Sequence, residues 1–196
     1  MKKRTIIGLD LGQANDYTAI VILEHVNEPD RSIEEGFHVV HLERMRGVSY
    51  TKVTTHVLAL YNALCSRGEV DLVVDNTGVG RGIVDTLTAA NPVRINIHGG
   101  NAVTGEYREF GVPKRDLIGA LVVAFESGAL KIANGLELGP VLATEAVNLK
   151  AKITASGHTE LKADWREGEH DDLALGLACA VWWAKQFRPF FISGAG

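Results

Sequence analysis

Acidic residues stand at the ends of three apolar segments, where their carboxylates could share a metal ion. Asp10 ends the strand-like run RTIIGLD, and Asp75 ends the run VDLVVD. Asp171 and Asp172 are adjacent and open the strongly apolar run DDLALGLACAVWWA. Neighbouring carboxylates repel one another unless a cation lies between or beside them. These positions therefore raise the hypothesis of an acidic metal site.

The residue types indicate which metal and which reaction. If the strands that end in Asp10 and Asp75 are parallel neighbours, both carboxylates reach the same edge of the sheet. Oxygen ligands favour Mg²⁺ or Mn²⁺ over zinc, and no cysteine or histidine set competes for a zinc site. Two such ions about 3.5–4 Å apart activate a water and stabilise the leaving oxygen of a phosphodiester. The pattern predicts catalysis without a side-chain nucleophile.

The same aspartates also have ordinary structural explanations. An aspartate at a strand end is commonly a turn former. Asp171 or Asp172 at a helix start is commonly an N-cap. The conjunction of all these positions in this order of elements favours metal binding.

Three further residues are candidates for supporting the metal ligands without binding the ion directly. Asp16 lies across the first turn from Asp10, and Thr77 is placed to orient Asp75. His170 directly precedes the aspartate pair and could act as a general acid or base. A turn or capping role is the alternative for Asp16 and His170.

Basic residues in two places are candidates for DNA contact. The segment 150–164 predicts a β-hairpin that turns at Ser156–Gly157. Such a basic arm beside an acidic site could clamp the DNA backbone, and a solvated hairpin is the alternative. The candidates are Lys150, Lys152, His158 and Lys162 in this arm, with Lys114 and Arg115 at a helix start. Cations at a helix start oppose the helix dipole, which favours a phosphate-facing role.

The order of elements predicts an α/β fold with a mixed sheet flanked by helices. Three N-terminal strands with short connections indicate an antiparallel meander. The predicted elements are strands 4–12, 17–26 and 36–45, helix 49–68, strand 70–80, helix 81–90, strand 93–99, helix 114–128, a helix within 136–149 that starts at or after Gly139, the hairpin 150–164, and a last helix from about Asp171 to Gln186.

Bulk properties restrict the function further. The 196 residues predict one domain, 1–188, followed by a loose tail, 189–196. With 20 basic and 24 acidic residues the net charge is −4, so nucleic-acid binding would need a local basic face or bound metal ions. No apolar run approaches the roughly 20 residues that span a bilayer, and no signal peptide is recognisable, so a cytoplasmic location without membrane contact is expected.

Five segments together resemble the nuclease domain of tailed-phage terminase large subunits. They are GLDLGQANDYTAI, LVVDNTGVG, VPKRDLIGALVVAFESGALKIA, KITASGHTELKAD and GEHDDLALGLACAVWWA. The resemblance covers nearly the whole chain and implies the RNase H-like, RuvC-like nuclease fold. It further implies an endodeoxyribonuclease that cuts double-stranded DNA with two Mg²⁺ or Mn²⁺ ions. Asp10, Asp75 and Asp172 would then be the core metal ligands and catalytic residues, with Asp171 beside them.

The resemblance also implies partners and leaves rivals. Besides double-stranded DNA, the partners would be a terminase ATPase domain, the small terminase subunit and the portal protein, in the cytoplasm of an infected bacterium. The chain has no G-x-x-x-x-G-K-[ST] loop, so it would be a separate nuclease domain or a stand-alone relative. A Holliday-junction resolvase shares this fold and carboxylate set, and a non-catalytic DNA- or portal-binding domain is a further alternative. An actin-like fold would need a second related domain.

Overall fold

A mixed β-sheet is the centre of the protein. The computed structural model describes residues 2–12, 16–27, 36–77, 80–155 and 171–186. Among these, the strands are β1 Lys2–Asp10, β2 Thr18–Asn27, β3 Gly36–Met45, β4 Val70–Asp75, β5 Val93–His98, β6 Thr104–Glu106, β7 Glu109–Pro113 and β8 Leu130–Ile132. The helices are α1 Tyr50–Cys65, α2 Gly80–Val84, a 3-10 helix Asp85–Ala90, α3 Lys114–Glu126, α4 Gly139–Ala155 and α5 Asp172–Ala184.

The strand order is β6-β7-β5-β4-β1-β2-β3-β8. β1, β2 and β3 pair antiparallel, which confirms the predicted meander. β4 runs parallel to β1, β5 to β4, and β7 to β5. The C-terminal ends of β1, β4, β5 and β7 therefore meet at one edge of the sheet, which we call the carboxyl edge. β2 begins at this edge and β3 ends there.

Alternate residues of the central strands face two separate hydrophobic cores, as the strand period of two requires. Ile6, Ala19 and Val73 face α3, α4 and α5. Ile7 and Leu72 face α1 and the α2 region on the other side of the sheet. The protein is thus a three-layer α/β fold, as the order of elements predicted.

Helix α5 is buried along its whole length, as expected for a helix that is apolar on all sides. It packs closely on the central strand β1, because Gly8 has no side chain at the crossing point. A Cβ atom on Gly8 would collide with the carbonyl oxygen of Gly176. The first turn of α5 is therefore held at a fixed height above the sheet.

The predicted hairpin over 150–164 is wrong in its first part, because α4 continues to Ala155. The alternation of Lys150, Ala151 and Lys152 suggested a strand. However, lysine and alanine are good helix formers, and the buried Leu142 and Leu149 continue the helical period. The rest of that segment, with His158 and Lys162, lies outside the described residues, as do His170 and the tail 189–196.

The other differences are small. The predicted helix 81–90 is a short α-helix followed by a 3-10 helix. The strands β6, β7 and β8 were not predicted, because they are three to five residues long and lie toward the two sides of the sheet. No helix in the described part of the chain is long and apolar enough to cross a membrane.

Candidate metal centre

Asp10 and Asp75 are the last residues of two adjacent parallel strands. The pairing of Leu9 with Val74 makes these aspartates the next residues on each strand. Asp10 is paired with Ala19, whose side chain packs in the core beneath α5. Paired residues share a face of the sheet. Both carboxylates therefore point to the α5 side at the carboxyl edge, as the sequence predicted for parallel neighbours.

The buried thiol of Cys179, on α5, interacts electrostatically with both carboxylates. Burial raises the pKa of Cys179 well above its ordinary value, and the negative charges of Asp75 and Asp10 raise it further. Because both charges act on one thiol of α5, both aspartates lie on the α5 side of the sheet. The sharing of one metal ion by these two carboxylates stays a prediction.

The residue after β4 fixes the Asp75 side chain. The backbone N–H of Thr77 donates a 2.8 Å hydrogen bond to Asp75 Oδ1. The Thr77 hydroxyl in turn accepts a 2.8 Å hydrogen bond from the backbone N–H of Ile97. Asp75 is 4% exposed, so this contact orients a carboxylate that has little access to water. Thr77 thus contacts Asp75 through its backbone, and its role in a metal site stays a prediction.

Asp172 joins the same face of the sheet through an arginine. Arg44 Nη2 lies 2.5 Å from Asp172 Oδ2. Arg44 is paired with Ala19, which is itself paired with Asp10, so Arg44 and Asp10 belong to one row of side chains beneath α5. Asp75, Asp10 and Arg44 thus lie on one face of the sheet, and Asp172 of α5 contacts Arg44. We call these four residues the acidic row. Asp172 is 9% exposed, and Arg44 supplies its counter-charge.

Glu145 of α4 caps the start of α5. Its Oε2 accepts a 3.0 Å hydrogen bond from the Ala174 N–H, and its Oε1 lies 3.4 Å from Arg44 Nη2. The pKa of Glu145 is raised to about 7. Burial is the main cause and the negative charge of Asp172 adds to it, whereas the Ala174 N–H and Arg44 act to lower the pKa. N-capping of α5 was the alternative role for the aspartate pair. Glu145 of α4 provides this capping hydrogen bond instead.

Asp171 occupies the N-cap position of α5, but its side chain makes no capping hydrogen bond. Asp171 is half-buried and directly precedes Asp172. Asp16 is exposed and lies at the carboxyl edge, just before Tyr17. The roles of Asp171 and Asp16 stay predictions.

The donor set of the acidic row suits Mg²⁺ or Mn²⁺, since carboxylate oxygens are the ligands that these ions prefer. Within the described ranges, no three His, Cys, Asp or Glu side chains are arranged to hold one ion together. Asp172 Oδ2 is held by Arg44 instead. A carboxylate has about four lone-pair sites, so contact with Arg44 does not use up its capacity as a ligand. The shared ion stays a prediction.

The DNA-contact candidates differ in their surroundings. Lys114 is 6% exposed, which does not favour direct contact of its ammonium group with a phosphate. Arg115 is exposed, and its guanidinium donates hydrogen bonds of 2.9 Å and 2.8 Å to the Asn101 side chain and backbone. Lys150 and Lys152 belong to the last turns of α4.

Sequence reasoning missed Arg44 and Glu145. Arg44 stands in a mixed strand, HLERM, and Glu145 in an otherwise ordinary helix. Helical spacing gave one available signal, because Glu145 replaces an apolar residue between the buried Leu142 and Leu149. A charged residue on a buried helix face indicates a partner, although not which one.

The sequence profile of the family described as "Terminase RNaseH-like domain" matches residues 7–181. No curated protein sequence matches the chain. The large terminase nuclease of thermophilic phage G20c is 24% identical, with a TM-score of 0.54, over 91% of this chain and 81% of that one. The human cytomegalovirus terminase nuclease domain, in a manganese-soaked crystal, is 12% identical, with a TM-score of 0.52, over 91% and 83%. At these identities the two structures establish a shared fold.

Proposed function

The chain belongs to the terminase RNaseH-like domain family, and from this premise we propose that it is a metal-dependent endonuclease that cuts double-stranded DNA in phage DNA packaging. The observation that carries the proposal is the placement of Asp10 and Asp75 on adjacent parallel strand ends, beneath the helix that begins with Asp172. This is the edge at which open α/β sheets bind their ligands. The RNase H-like fold implied by the sequence resemblance is confirmed by the family match.

We assign the metal ligands to Asp10, Asp75 and Asp172, with Asp171 beside them. Two divalent ions bound there would supply Lewis-acid activation of a water and stabilisation of the leaving oxygen of a phosphodiester. The manganese-soaked relative supports Mn²⁺ as one suitable ion. The ligand set offers oxygen atoms alone, which supports Mg²⁺ equally.

The protein's own residues provide the pre-organisation that such a site needs. Thr77 holds one Asp75 oxygen, and Arg44 holds one Asp172 oxygen. Glu145 fixes the first turn of α5 above the sheet. Ligands held by such neighbouring contacts are placed before a metal arrives, so little of the binding free energy is spent on ordering them.

Cleavage of supercoiled plasmid tests the proposal. Wild-type protein is assayed with Mg²⁺, with Mn²⁺ and with a chelator, and cleavage is expected only with a divalent ion. Asp10→Asn, Asp75→Asn and Asp172→Asn are expected to lower the rate by at least about 100-fold, comparable to the loss of one charge-stabilising group in other active sites.

Asp85→Asn is the matched control. Asp85 is an exposed aspartate at the start of the 3-10 helix, and it pairs with Arg94 of β5. Arg94 is paired with Val74, which faces the α1 side of the sheet, so this ion pair lies on the face opposite the acidic row. It should cut at the wild-type rate. Equal rates for the control and the three other variants would refute the site, and cleavage in chelator would refute metal dependence.

The same assay separates two biological roles. A packaging nuclease should cut linear and plasmid duplexes, and its partners would include an ATPase motor, a small terminase subunit and a portal. A junction resolvase should instead prefer a synthetic four-way junction over a linear duplex of the same sequence. A strong preference for the junction would replace the packaging role while retaining the nuclease.

A further inference from the structure

An exposed arginine lies at the carboxyl edge beside the acidic row. Arg46 follows the last residue of β3, and its guanidinium carbon lies 5.4 Å from the centroid of the Tyr17 ring. Tyr17 immediately precedes Thr18, which is paired with Met45, so Tyr17 and Arg46 oppose each other where β2 begins and β3 ends. A cation over a tyrosine face is attracted by the negative face of the ring.

Tyr17 contacts two arginines that have different surroundings. The guanidinium carbon of Arg44 lies 4.2 Å from the ring centroid, and this arginine is committed to Asp172 and Glu145. Arg46 is exposed, and among the residues that the structure describes no carboxylate lies within ion-pair distance of it. The ring therefore braces one arginine that faces the protein and one that faces solvent.

Strand geometry gives the distance from Arg46 to the catalytic aspartates. Asp10 and Arg44 are two strands apart in one row, and Arg46 is two residues further along. With about 4.8 Å between strands and about 3.3 Å per residue, the Cα atoms of Asp10 and Arg46 are roughly 12 Å apart. One DNA strand rises about 3.4 Å per nucleotide, so this distance spans a few nucleotides.

We propose that Arg46, braced by Tyr17, binds a backbone phosphate of the DNA a few nucleotides from the phosphodiester at the acidic row. The inference rests on the proposed nuclease function. The protein carries a net charge of −4 and presents aspartates to a polyanion, so a local cation is needed to hold the strand there. A guanidinium matches the geometry of phosphate oxygens, and a ring that limits its motion reduces the ordering cost of binding.

DNA affinity measured against salt concentration tests this site. A fluorescent duplex oligonucleotide is titrated in Ca²⁺, with a gel to verify that it stays intact. Arg46→Ala is expected to bind about 3- to 10-fold more weakly at low salt, with the slope of log K against log salt smaller by about 1, as for the loss of one phosphate contact. Thermal melting of each variant verifies that it is folded.

Arg67→Ala is the matched control because it removes the same charge from the opposite end of the sheet. Arg67 is exposed beyond the end of α1 and two residues before Glu69, whose carbonyl accepts the N–H of Thr5 near the start of β1. It should bind DNA as the wild type does. Arg46→Lys should keep part of the affinity that Arg46→Ala loses, since lysine keeps the charge but stacks less well on the ring.

The outcomes separate this inference from the nuclease proposal. Wild-type affinity and slope in Arg46→Ala, or an equal loss in Arg67→Ala, would overturn the phosphate site and leave the nuclease intact. Binding that depends on Arg46 without metal-dependent cleavage would uphold the site and overturn the nuclease. A wild-type protein that binds no duplex at any salt concentration would overturn both.

Discussion

The guanidinium of Arg44 lies 2.5 Å from the carboxylate of Asp172 and ties the last helix to the third strand. The same guanidinium reaches Glu145 at 3.4 Å, so one cation serves two buried carboxylates from α5 and α4. An arginine side chain that is 13% exposed therefore replaces water as the partner of both acids. This contact explains why an aspartate is tolerated at the start of a helix that is otherwise entirely apolar.

Removal of this arginine should destabilise the protein strongly. Arg44→Ala leaves Asp172 and Glu145 buried without their counter-charge, and loss of one partner of a buried pair typically costs about 3–5 kcal/mol. Arg44→Lys should cost less than Arg44→Ala because lysine keeps the charge. It should still destabilise the protein, because lysine cannot bind both acids in a fixed fork. Urea unfolding at pH 7.5 gives the free energy of unfolding of each variant.

Arg94→Ala is the control for the Arg44 experiment. Arg94 pairs with Asp85, whose side chain is 64% exposed, and such pairs contribute about 0–1 kcal/mol. If Arg44→Ala lost no more stability than Arg94→Ala, the Arg44 cluster would be a surface contact and not a buried support for α5.

Glu145 should make stability depend on pH near neutrality. The folded state keeps the Glu145 proton up to a pKa of about 7, whereas the unfolded chain releases it near 4.5. Between these values the folded state binds more protons, so this residue's contribution to the free energy of unfolding falls as pH rises. The decrease is at most about 3 kcal/mol and is complete above pH 7.

Glu145→Gln isolates this effect. The glutamine amide oxygen still accepts the Ala174 N–H, but no proton is released. Urea unfolding at intervals from pH 4.5 to 8 should show the wild type losing stability relative to Glu145→Gln as pH rises. A difference that stays constant across this range would show that the carboxyl of Glu145 titrates in its ordinary range.

Local sequence patterns were sufficient to predict the sheet centre and the aspartates at its edge. Asp10 and Asp75 each end a long apolar strand, and long apolar strands are read from composition and period alone. Their parallel pairing then follows from the order of strands and helices. These positions could be found because the signal is contained within about ten residues of each aspartate.

The residues that support the site could not be found in this way. Arg44 and Asp172 are 128 positions apart, and Glu145 and Ala174 are 29 apart. Such contacts depend on how α4 and α5 cross the sheet, which no local pattern encodes. The hairpin predicted over 150–164 is wrong over 150–155 for a related reason. A short alternation of lysine and alanine fits the period of a strand or of a helix until tertiary contacts decide.

Divalent ions should stabilise the fold through the acidic row. An ion held by Asp10 and Asp75 would relieve their mutual repulsion, and an ion that binds the folded state alone at 100 times its dissociation constant adds about 2.7 kcal/mol. Thermal melting with increasing Mn²⁺ should raise the wild-type midpoint and leave Asp10→Asn nearly unchanged. Asp85→Asn should respond as the wild type does, and an equal response in Asp10→Asn would place the ion elsewhere.

The close approach of α5 to β1 should be essential, because it sets the height of Asp172 above the sheet. A Cβ atom at Gly8 would collide with the backbone oxygen of Gly176, which cannot move without shifting α5. Gly8→Ala should therefore lower the free energy of unfolding by about 1–3 kcal/mol or more, as overpacked cores do. It should also weaken Mn²⁺ binding, since Asp172 begins the displaced helix.

Gly119→Ala on α3 is the matched control, because nothing lies within 4 Å of the position that its Cβ would take. Alanine is the better helix former there and should stabilise the protein by about 0.5–1 kcal/mol. If the crossing is as tight as described, urea unfolding should show opposite changes in stability for the two variants, and Mn²⁺ titration should show a loss of affinity in Gly8→Ala but not in Gly119→Ala. A Gly8→Ala protein with wild-type stability and Mn²⁺ affinity would show that α5 can move away from β1 without loss, and that its contact with Gly8 does not position Asp172.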